Sequence, residues 1–68
     1  MYSTDKLKKK RIDYGLSVEK ISLMLNISPS YYSLIENKKR KLYYSMAVQI
    51  ANIFDTTPDD LFLIKKNS

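Results

Sequence analysis

Lys8-Lys9-Lys10-Arg11 and Lys38-Lys39-Arg40-Lys41 are two runs of four cations, and they carry most of the chemistry that this chain offers. Such runs either solvate a surface or hold phosphate. The excess of basic residues leaves a formal net charge of +5, and its clustering favours the phosphate reading where a groove-reading element lies alongside. The chain contains no histidine and no cysteine. The usual nucleophile–base pairs and metal-activated water are therefore missing, and no Gly-rich phosphate loop takes their place. Catalysis, a metal site and a cofactor are all unexpected.

The second cationic run follows directly on a segment that can position it. Ser17 to Lys41 reads as two short helices joined by a tight turn. Ser17 is placed to cap the first of these, with Glu19 in its opening turn, and Ile21 and Leu25 share one face. Asn26 tolerates a left-handed backbone, Ile27 inserts, and Ser28-Pro29 opens the next helix with a cap and a proline at its first position. That helix runs from Pro29 to about Asn37, with Tyr32 and Ile35 inward. Ser30, Tyr31, Ser33 and Leu34 then lie outward or on the flanks. This is helix–turn–helix spacing, in which the second helix enters the DNA major groove and the flanks hold phosphates.

The other elements frame this pair. A first helix runs from a cap at Ser3 or Thr4 to about Tyr14, with Asp5 in its first turn and Gly15 as its left-handed terminator. A fourth runs from about Tyr44 to Phe54, with Ala47, Val48, Ile50, Ala51 and Phe54 on a broad apolar face. Thr57-Pro58-Asp59-Asp60 opens a short fifth helix bearing Leu61 and Phe62. Residues 65–68 read as a frayed tail. Sixty-eight residues allow one domain, and with neither disulfide nor zinc it must rest on helical packing. No apolar run reaches the roughly 18 residues of a membrane span, and the N-terminus lacks an apolar leader segment. A cytoplasmic protein is expected, and a Lys/Asn/Ile/Tyr-rich composition hints at a bacterial, phage or plasmid genome.

The order of these parts resembles the phage Cro/repressor-type (XRE-like) helix-turn-helix family. The residues that carry the likeness are Lys10-Arg11, Gly15-Leu16-Ser17, Ile21, Leu25, Ile27-Ser28, Tyr32-Ser33, Ile35-Glu36-Asn37, Ile50-Ala51 and Asp59-Asp60-Leu61-Phe62. The resemblance spans about residues 5 to 63. It implies an all-α, five-helix, lambda-repressor-like domain over 1–68 with the helix-turn-helix in helices two and three. It places base contacts at Ser28, Pro29, Ser30, Ser33 and Leu34, and phosphate contacts at Arg11, Ser17, Val18, Tyr31, Asn37, Lys39 and Lys41. It also implies an ion pair between Arg11 and Glu36.

Three departures stand out. Pro29 and Leu34 replace long polar side chains that often grip base edges, so direct hydrogen-bonded readout is thin. Simple helix initiation is the preferred role for Pro29. Val18 replaces a phosphate-clamping glutamine, leaving backbone N–H groups to do that work. Lys38 replaces a common glycine, which puts a left-handed turn there in question.

The implied function is a sequence-specific regulator of transcription, a repressor that binds a palindromic operator on double-stranded DNA as a homodimer. Phe54, Leu63 and Ile64 are the expected contacts between copies. The alternative is a protein-interaction module, such as an antitoxin or antirepressor partner. It is motivated by Leu23 and Met24, apolar residues on the outer side of helix two that with Val18 could form a patch. The preferred reading of Leu23 and Met24 is that they pack beneath the start of helix one or Tyr2.

Overall fold

The computed structural model describes residues 3–62. It contains α1 (Leu7–Asp13), α2 (Val18–Leu25), α3 (Pro29–Glu36), α4 (Tyr44–Ile53) and α5 (Pro58–Phe62), with no strand among the described residues. Every helix sends side chains into one core. Leu7 enters from α1, Ile21 and Leu25 from α2, and Tyr32 from α3. Ala47, Ile50, Ala51 and Phe54 enter from α4 and its cap, and Leu61 and Phe62 from α5. The α2–α3 pair packs across the Asn26-Ile27-Ser28 turn, and α4 packs on α5.

Three helix starts follow from local chemistry. The hydroxyls of Ser17, Ser28 and Thr57 accept from the N–H groups of Lys20, Tyr31 and Asp60, each three residues on. Each bond satisfies a donor that the helix itself leaves open. Pro29 and Pro58 occupy first-turn positions that need no N–H.

The start of α1 is different from the expected one. The helix begins at Leu7, with Lys6 before it and no side-chain cap. The Thr4 hydroxyl instead donates to the carbonyls of Ile35 and Glu36, both at 3.3 Å. Ser3 Oγ accepts from the Asp5 N–H, and the Ser3 N–H donates to the Phe62 carbonyl at 2.7 Å. Asp5 thus lies in the turn ahead of the helix, where it pairs with Lys38. Thr4 is buried at the end of α3, where its hydroxyl reaches the Glu36 carbonyl and shares the Ile35 carbonyl with the Lys38 N–H.

Four helix ends share one closure. Gly15, Asn26, Lys38 and Asp55 have φ of 69°, 59°, 64° and 54°. In each case the left-handed residue and the one after it donate back, as Gly15 does to Ile12 and Leu16 to Arg11. This is the Schellman arrangement, in which the left-handed position is cheapest for glycine. Lys38 keeps the left-handed turn despite its side chain, donating to Ile35 while Lys39 donates to Leu34. Its pairing with Asp5 is largely exposed and offsets little of the strain. Lys38→Gly should therefore raise the unfolding free energy by about 0.5–1 kcal/mol. Urea denaturation checks this, and a loss of stability would mean that the Lys38 side chain contributes more than its backbone costs.

Candidate nucleic-acid interface

The packing of α3 sets which of its side chains face out. Tyr32, Ile35 and Glu36 are buried, leaving Ser30 and Leu34 exposed on the opposite side, with Tyr31 and Ser33 half-buried on either flank. Pro29 and Ser28 are exposed at the helix start, where the Ser28 hydroxyl is engaged as the cap. The outward surface is short-chained, and beyond Pro29 at its start it has one exposed apolar side chain, Leu34. Lys38, Lys39, Arg40 and Lys41 follow at the far end of the helix, all exposed. The Lys39 and Arg40 N–H groups both donate to the Leu34 carbonyl, at 2.8 and 3.1 Å, which ties the cationic loop to α3. Asn37 Nδ2 donates to the Ser33 carbonyl at 2.9 Å, so this exposed amide also closes the helix end.

A buried ion pair holds α3 against α1. Arg11 Nε and Nη2 donate to Glu36 Oε2 and Oε1 at 3.0 and 3.1 Å, and Nη1 donates to the Leu16 carbonyl at 2.7 Å. The two side chains are only 11% and 5% exposed. The two-pronged contact to Glu36 holds the Arg11 guanidinium above its already high pKa, against the cost of burial. These bonds use three of the five guanidinium N–H groups and tie Arg11 to the end of α3.

The Tyr32 hydroxyl is buried beside this pair and makes no hydrogen bond with another described residue. Burial, reinforced by the Glu36 carboxylate, pushes its pKa well above the usual phenol range, so it stays neutral.

The remaining residues sort plainly. Ser17 caps α2, and Val18, at the same end, is half-buried against the core. Phe54 is 2% exposed and packs edge-on to Tyr14, with ring centroids 4.9 Å apart. It belongs to the core and has no surface to offer a second copy. Leu63 and Ile64 lie outside the described residues, as does Tyr2. Leu23 and Met24 do not pack away as expected: they are 73% and 50% exposed on the outer side of α2.

Two contacts at the cationic loop escaped the sequence reading. The Arg40 guanidinium lies over the Tyr31 ring, 5.7 Å from its centroid, and the Lys41 ammonium lies over Tyr43 at 5.8 Å. The Lys41–Tyr43 spacing is a local signal. Arg40–Tyr31 depends on the chain reversing after α3, which no short-range pattern announces.

No helix of the described residues is long and apolar enough to cross a membrane. Among these residues no three histidine, cysteine, aspartate or glutamate side chains come together as a metal site. A family described as a helix-turn-helix domain matches residues 4–65. No curated protein and no solved structure matches the chain.

Proposed function

The chain belongs to the family of XRE-type helix-turn-helix domains, and from that premise we propose that it is a repressor of transcription that binds a palindromic DNA operator as a homodimer. One observation carries the reading. α3 is anchored on one face by Tyr32, Ile35 and the Arg11–Glu36 pair, and its opposite face is open, with four exposed cations at its end. An anchored helix with a free outward face and a basic rim fits the major groove and its phosphates.

Ser30, Ser33 and Leu34 are the proposed base contacts, with Ser28 and Pro29 at the helix entrance. Serine can bond any base edge, and leucine can touch a thymine methyl. Lys39, Lys41 and Asn37 are the proposed phosphate contacts, joined at the start of α2 by the N–H groups beside Ser17 and Val18. Two copies on one duplex, with half-sites about 34 Å apart, would read a palindrome that one short helix cannot. Leu63 and Ile64 remain the proposed contacts between copies.

The test is a salt titration of binding to duplexes selected from a random pool. Affinity should fall steeply with salt. Lys39→Ala and Lys41→Ala should each weaken binding to all sequences alike and flatten the slope by about one unit. Unchanged slopes in both variants place the loop away from DNA. A palindromic duplex should take up two copies.

A second reading is favoured by the exposure of Leu23 and Met24, which gives the outer side of α2 an apolar surface suited to a protein partner. A protein-interaction module of this kind would show little duplex binding at any salt.

A further inference from the structure

We infer that Arg40 and Tyr31 form a phosphate clamp on one flank of the α3 surface, with Arg40 gripping the phosphate and Tyr31 acting as its positioning residue. This rests on the DNA-binding reading above and adds a contact to it.

The placement follows from backbone and side chain together. The Arg40 N–H is bonded to the Leu34 carbonyl, which fixes the root of the side chain at the end of α3. The guanidinium then turns back along the helix and rests over Tyr31, a residue in its first turn. With Tyr32 and Ile35 inward, Tyr31 lies to one side of the Ser30–Leu34 face and Ser33 to the other. Side chains at the centre of such a face reach bases, and those on its flank reach the backbone that borders the groove.

The chemistry suits phosphate. Arg40 makes no ion pair with another described residue, unlike Lys9, Arg11 and Lys38. The contact with the Tyr31 ring, 5.7 Å from its centroid, uses no N–H donor and so leaves Arg40 the fork that matches two phosphate oxygens. The ring also restricts the long side chain before DNA arrives, so less freedom is lost on binding. Lys41 over Tyr43 offers only a compact ammonium with no such fork. Tyr31 thereby takes a role other than direct phosphate contact: its ring matters and its hydroxyl does not.

The test uses the full chain, a selected duplex and a series of salt concentrations, with circular dichroism confirming that each variant is folded. Arg40→Ala should weaken binding roughly tenfold and flatten the salt slope by about 0.9 unit. Arg40→Lys should keep the slope yet still weaken binding, because charge survives and the fork does not. Tyr31→Phe, which keeps the ring, should lose much less than Tyr31→Leu, which should lose several-fold; equal losses in the two would make the hydroxyl the contact and overturn the clamp. In the Arg40→Ala background Tyr31→Leu should cost almost nothing further, a coupling of about threefold or more. Additive losses, or full binding by Tyr31→Leu, would overturn the clamp while leaving DNA binding intact. A changed preference at one base position with an unchanged salt slope would make Arg40 a base reader and also overturn it. If the unmodified protein binds no duplex at any salt, the DNA-binding reading falls and takes the clamp with it.

Discussion

Glu36→Ala should lower the unfolding free energy by about 3–5 kcal/mol, close to everything a single core of this size supplies. The cause is the guanidinium left behind. Arg11 would keep its bond to the Leu16 carbonyl but lose both bonds to Glu36, leaving a cation that is 11% exposed and uncompensated. Urea denaturation followed by circular dichroism reads the loss. The double variant Arg11→Met/Glu36→Leu should recover most of it, since removing both charges also removes the cost of dehydrating them. A Glu36→Ala variant within about 1 kcal/mol of the parent would show the pair to be solvated and α3 to be held by its apolar contacts alone.

Phe54→Ala should cost about 3–5 kcal/mol in the same measurement. The ring is buried at the C-terminal end of α4 and meets Tyr14 edge-on, while the Tyr14 hydroxyl donates to the Phe54 carbonyl at 3.2 Å. Truncation opens a cavity and strips Tyr14 of the surface it lies against. Tyr14→Ala, at a half-exposed position, should cost clearly less. If Phe54→Ala instead left stability unchanged and altered the oligomeric state, Phe54 would belong to an interface after all.

The reading from sequence succeeded where the physics is short-range. A cap at Ser17, Ser28 or Thr57 answers an N–H only three residues away, so residue type and spacing reveal it. Gly15 and Asn26 as helix terminators were legible for the same reason, because both tolerate positive φ. The inward placement of Tyr32 and Ile35 followed from helical period. What escaped depends on distant chain. Thr4 looks like a helix cap until α3 brings the Ile35 and Glu36 carbonyls to it from more than thirty residues away. Phe54 and Leu23 are both apolar residues on helical faces, yet one is sealed and the other open, because neighbouring helices decide which side of each face is covered. Lys38 shows the opposite failure. Its residue type argues against a left-handed turn, but the closure of α3 and the exit of the loop impose one.

The hydrogen bond from the Ser3 N–H to the Phe62 carbonyl brings the two ends of the described chain together. Topologically, the five helices form a ring broken at a single place. The same closeness would let a short linker join residue 3 to residue 62, with new ends opened in an exposed connection, as in a circular permutation. Backbone cyclisation is open to it as well.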